Sequence, residues 1–114
     1  MLDRSDILLK IKNSINSTVP DAEIILYGSY ARGAEKLESD IDILVLLNKD
    51  KVTWLDEKKV KYPLYDIEFD TGTIISPLIL SKKDWEIKHR ITPFYESVKK
   101  EGVILWNNRT EIQL

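Results

Sequence analysis

The segment that most restricts this chain is Asp40-Ile41-Asp42-Ile43-Leu44-Val45-Leu46-Leu47, where two acids open a run that is otherwise wholly aliphatic. Closed by the charged turn Asn48-Lys49-Asp50-Lys51, it is the strongest strand signal in the sequence. Alternation along a strand puts Asp40 and Asp42 on one face, about 6.6 Å apart by the strand rise, and turns Ile41 into the core. Aspartate is disfavoured inside strands, so two at the mouth of an apolar run are a local conflict of the kind that marks functional sites.

The surrounding pattern supplies the layers such a strand needs. Ile7, Leu8, Ile11 and Ile15 recur at helical spacing ahead of Pro20, predicting an amphipathic helix over about 4–17 whose stripe covers a sheet. Glu23 to Tyr27 reads as a buried strand that stops at Gly28, followed by a short helix or turn over 29–33 and a polar loop over 34–39. Residues 54–70 admit two readings. Tyr65 to Phe69 alternates like a strand, whereas the spacing of Leu64 and Ile67 suits a helix ended by Gly72, and the helix is preferred. Thr73 to Leu80 is β-rich, with Pro77 pushing it to an edge or a bulge. Ser81 N-caps a helix carrying Trp85, Thr92-Pro93 starts another that runs to about Lys100 before Gly102, and Val103 to Trp106 is an apolar tail. The expected fold class is α/β (α+β): a short mixed sheet flanked by helices, with residues 1–114 as one domain. The edge at Pro77 and the tail at Val103 to Trp106 suit either core or a dimer or partner interface, so the oligomeric state is not readable.

Composition narrows the chemistry. A chain of 114 residues has room for one core, and 43% hydrophobic with 32% charged residues is an ordinary globular balance. The absence of cysteine excludes disulfides and thiolate zinc sites, leaves oxygen ligands for a metal, and fits a reducing compartment. No stretch approaches the roughly 20 apolar residues of a membrane span, and the first residues lack a signal-peptide pattern, so a cytoplasmic location is expected. A net charge of −2 gives no strong nucleic-acid signal, although a divalent cation would let an anionic substrate approach.

Two carboxylates as close as Asp40 and Asp42 repel. Divalent cations reconcile them, and hard oxygen donors without nearby cysteine or histidine select Mg²⁺ or Mn²⁺. Alone, the triplet would equally suit the solvated face of an edge strand. Gly28 permits a tight turn and close backbone approach, so that Ser29 and the amides after it can face a phosphate at a helix N-terminus. Alone, Gly-Ser would be a plain strand-to-helix turn. The two together, separated by ten residues, argue for nucleotide and metal binding.

The segments Leu26-Tyr27-Gly28-Ser29-Tyr30-Ala31-Arg32-Gly33 and Ser39-Asp40-Ile41-Asp42-Ile43-Leu44-Val45 resemble the signature of the DNA polymerase β-type nucleotidyltransferases, specifically the minimal nucleotidyltransferases. The resemblance implies the nucleotidyltransferase fold and transfer of a nucleoside monophosphate, AMP from ATP, to a hydroxyl with release of pyrophosphate. It implies that Gly28 and Ser29, with Arg32 beside them, hold the triphosphate, and that Asp40 and Asp42 are the catalytic, metal-holding acids. It also implies a partner, a HEPN-domain toxin whose tyrosine accepts the AMP. The alternative is a catalytically weak or inactive module that neutralises the toxin by contact. A small-molecule acceptor of the aminoglycoside type is disfavoured for want of a separate substrate domain.

Arg32 fits the family's Ala-Arg-Gly, while Lys36 in the same loop reads as an ordinary exposed residue. Proficient members carry a third carboxylate on a later strand, and alignment puts Ser76 at that position. Asp66, Glu68 or Asp70 would supply it only if residues 65–69 formed the strand. Activity is then expected to be slow, partner-assisted or absent. His89 reads as structural or exposed, and Trp54, Trp85 and Trp106 as core or interface anchors.

Overall fold

The computed structural model describes residues 4–33 and 40–107. Its elements run α1 (Arg4–Thr18), β1 (Glu23–Tyr27), α2 (Gly28–Ala31), β2 (Ile41–Leu47), α3 (Trp54–Thr71), β3 (Ile75–Ser81), α4 (Lys82–Ile87), α5 (Pro93–Glu101) and β4 (Val103–Trp106). The four strands form one sheet in the order β3-β2-β1-β4. β1 is antiparallel to both β2 and β4, and β2 is parallel to β3, with α3 as the crossover. The expected mixed sheet flanked by helices is therefore the fold.

β2 is interior, and its alternation serves two cores. Ile41, Ile43, Val45 and Leu47 join Ile7, Ile11 and Ile15 of α1 and Val60 and Leu64 of α3 on one side of the sheet. Leu44 and Leu46 meet Ile25, Trp85 and Val98 on the other. A strand covered on both faces has no use for polar residues along its length, which is why the run after Asp42 is unbroken. Ile41 points into the core, as its place in the alternation requires.

The helix boundaries follow local chemistry. Thr53 and Asp56 cap α3 reciprocally, with the Thr53 amide donating to Asp56 Oδ2 at 2.9 Å and the Asp56 amide donating to Thr53 Oγ1 at 3.3 Å. Lys49 adds two further bonds to the same carboxylate, at 2.8 and 2.9 Å. Gly72 ends α3 with φ of 74°, the left-handed conformation that spares glycine the Cβ clash. Residues 65–69 thus lie in a helix, although Pro63 interrupts its ladder; burial of Val60 and Leu64 to 1% exposure on either side offsets that loss. Ser81 Oγ accepts from the Asp84 amide at 2.9 Å to start α4, and Thr92 Oγ1 accepts from the Tyr95 amide at 3.1 Å to start α5.

Pro77 lies on β3, one edge of the sheet, and the tail after Gly102 is β4, the other edge. The tryptophans divide. Trp85 is buried and Trp106 is half-buried, but Trp54 is two-thirds exposed and is not a core anchor, because position 54 faces away from the side of α3 that carries Asp56, Val60 and Leu64. His89 is partly buried, with its ring 6.0 Å from that of Trp85, a packing role.

Candidate functional site

The antiparallel pairing of β1 with β2 sets Tyr27 opposite Asp42, so the end of β1 and the start of β2 coincide in space. Gly28 follows immediately, with φ of 75°, a conformation costly for any other residue. A Cβ there would stand 2.5 Å from Asp42 Oδ2. The backbone turn and the carboxylate are therefore in direct contact, and only glycine allows it. Ser29 occupies the first turn of α2, whose early amides have no acceptor within the helix and face outward from its N-terminus.

Asp42 is half-buried and Asp40, just before β2, is exposed. Burial raises the Asp42 carboxyl above the ordinary carboxylate range, the negative charge of Asp40 raises it further, and the guanidinium of Arg32 acts in the opposite direction. Arg32 thus faces the site electrostatically, while its Nη1 lies 3.6 Å from Glu101 Oε2 at the end of α5. Both side chains of that pair are well exposed, so it orients Arg32 more than it stabilises the fold.

Sequence reasoning missed Tyr27 and Phe94. Tyr27 shares the face of Asp42, and burial followed by the Asp42 charge raises its phenol, keeping it a proton donor. Phe94 of α5 packs edge-on against the Tyr27 ring at 5.2 Å. The only signal for Tyr27 was its place next to Gly28, and nothing short of the register brings it to Asp42.

Ser76 is the register partner of Asp42 on the parallel strand β3, and it is the position that the resemblance gives to a third carboxylate. The alternative acids do not replace it. Asp66 and Asp70 are exposed on α3, and Glu68 Oε2 accepts from the Ile75 amide at 2.8 Å, tying α3 to the start of β3. Among the described residues no group of three acidic, histidine or cysteine side chains is placed to hold a metal ion. The donor set that is present, two aspartates beside a glycine turn, fits a hard divalent ion bound jointly with substrate phosphates, since Mg²⁺ commonly takes one or two carboxylates and keeps its remaining positions for phosphate and water. Lys36 lies outside the described residues. No helix among those described is long and apolar enough to cross a membrane.

The nucleotidyltransferase domain family matches residues 8–104. A candidate protein adenylyltransferase of Methanocaldococcus jannaschii is 34% identical over 101 residues, covering 86% of this chain and 94% of its own. Among solved structures, a toxin–antitoxin complex with AMP-PNP superposes with a TM-score of 0.64 at 21% identity, over 91% of this chain and 76% of the other. A tri-AMPylated HEPN toxin of Shewanella oneidensis in complex with its MNT antitoxin gives 0.57 at 18% identity, over 94% and 75%. At those identities the two structures establish likeness of fold.

Proposed function

We propose, on the premise that this chain belongs to the nucleotidyltransferase domain family, that it moves AMP from ATP to a hydroxyl of a protein, a tyrosine of a HEPN-type toxin that it holds in check. The observation that carries this reading is the contact of Gly28 with Asp42, which joins a phosphate-binding turn to an acidic pair at one point. The M. jannaschii relative is named for protein adenylylation, and the AMP-PNP and AMPylated-toxin complexes share the fold. Residues 1–114 act as one nucleotidyltransferase domain, and the cytoplasm is where ATP, Mg²⁺ and such a toxin would meet it.

In this reading the outward amides at Ser29 and its hydroxyl bind the triphosphate, and Arg32 neutralises charge on it. Asp40 and Asp42 would hold Mg²⁺ or Mn²⁺, which supplies charge neutralisation along the phosphates and acidifies the attacking hydroxyl. The acceptor oxygen bonds to the α-phosphorus as the α–β bridging bond breaks, and pyrophosphate leaves. Tyr27, held by Phe94, flanks the site beside Asp42. The acceptor's proton goes to solvent, because Ser76 offers no carboxylate to take it, and this keeps turnover slow.

The second reading, a binding module with little or no activity, is favoured by that same serine. Incubation with α-labelled ATP and Mg²⁺, with and without the toxin, separates the two. The parent should label the toxin; Asp40→Ala and Asp42→Ala should not, and Ser76→Asp should raise the rate by roughly tenfold. Neutralisation that survives both alanine variants, with no label transferred by the parent, would establish the binding module instead.

A further inference from the structure

α3 carries apolar side chains on both of its sides. Asp56, Val60 and Leu64 turn inward. On the opposite side Trp54, Leu55, Tyr62, Tyr65 and Phe69 are exposed by 67, 59, 54, 53 and 90%. With Lys58 bridging the gap between Leu55 and Tyr62, they fall in one stripe along the helix, at positions three, four or seven residues apart except for the neighbours Trp54 and Leu55. Lys58 lies within it, its ammonium 4.8 Å from the Trp54 ring centroid and 5.2 Å from that of Tyr62, and the Tyr62 and Tyr65 rings stand 5.8 Å apart. A contiguous aromatic surface of this kind on a soluble domain marks an interface.

We propose that the outer face of α3 binds a second copy of this chain, with the two α3 helices antiparallel about a twofold axis near Tyr62. The charges flanking the stripe are what select this occupant. Lys58 and Lys59 lie on its N-terminal half and Asp66 and Asp70 on its C-terminal half, while Lys61, beside the axis, is paired with Glu57 of its own helix at 3.3 Å. With Tyr62 on the axis, Lys58 of one copy meets Asp66 of the other and Leu55 meets Phe69, an isologous pairing in which every contact occurs twice. A parallel arrangement would set lysine on lysine, whereas the antiparallel one also opposes the helix dipoles.

The size is adequate. With about 150–250 Å² per aromatic side chain, the exposed part of the stripe amounts to on the order of 600 Å² per copy, near the ~800 Å² that each partner of a stable complex buries. Asp42 lies on the face of the sheet covered by α4 and α5, and α3 on the other, so the pairing leaves both candidate sites open.

The test is sedimentation equilibrium of the full chain, without nucleotide, over a wide concentration range. The parent should dimerise. Tyr62→Glu, whose folding is checked by circular dichroism, should weaken the dimer by at least ~30-fold. Lys58→Glu and Asp66→Lys should each weaken it, and the double charge swap should restore it. A parent that stays monomeric overturns the proposal, including the case in which the stripe instead binds a toxin partner. So does a dimer that withstands both Tyr62→Glu and Phe69→Glu, or a double swap no better than the single variants.

Discussion

Asp42 and Asp56 are both aspartates set against the packed body of the domain, and their surroundings treat them in opposite ways. Asp56 accepts from Lys49 and from both the amide and the hydroxyl of Thr53, and these bonds lower its carboxyl to about 2. Among the described residues, Asp42 has burial and the Asp40 charge against it and Arg32 in its favour, and its carboxyl is raised. One charge is satisfied by the fold; the other is kept unsatisfied where Gly28 brings a backbone turn against it. On the proposed function, the contrast separates a carboxylate that serves stability from one that serves a ligand.

The largest expected effect lies at the unsatisfied acid. Asp42→Asn should lower nucleotidyl transfer by roughly 1000-fold while the thermal midpoint stays at or above that of the parent, because a charge that the fold opposes has been removed. A large drop in midpoint would make Asp42 structural like Asp56 and dissolve the contrast. Next comes the contact between turn and carboxylate. Gly28→Ala should cost about 100-fold in transfer through displacement of Asp42 or of the turn, together with some stability from the strained positive φ.

Asp56→Ala should do the reverse of Asp42→Asn. It should lose about 1–3 kcal/mol in urea unfolding, a value discounted because Lys49 is half exposed, and leave transfer per folded molecule unchanged. The smallest effect is the pH dependence of that stability. A carboxyl lowered in the folded state contributes fully above its ordinary value of 3.8 and loses that contribution as pH falls toward about 2. Midpoints measured across that window should fall more steeply for the parent than for Asp56→Ala.

Much of this was legible before any coordinates. The strand expected from Asp40 to Leu47, which the structure begins one residue later at Ile41, the α1 stripe, the caps at Ser81 and Gly72 and the helix start at Thr92-Pro93 rest on local rules. The placement of Ser76 beside Asp42 likewise follows the resemblance and the register agrees. What was ambiguous had a physical cause. α3 bears apolar residues inside and out and a proline at 63, so no single periodicity emerges from it, although Thr53-Trp54-Leu55-Asp56 carries a capping-box pattern that marks its start. β4 is four residues long and becomes a strand only by pairing with the distant β1. Tyr27, Phe94 and the Arg32–Glu101 pair depend on contacts that no local pattern encodes.

The central claim is that Gly28 and Asp42 form one site for a triphosphate and a divalent ion. Calorimetric titration of ATP into the parent and into Asp42→Asn, each with and without Mg²⁺, tests it most directly. The account predicts that the parent binds ATP with Mg²⁺ at least tenfold more tightly than without it, and that this gain vanishes in Asp42→Asn. A gain of the same size in both proteins would contradict it.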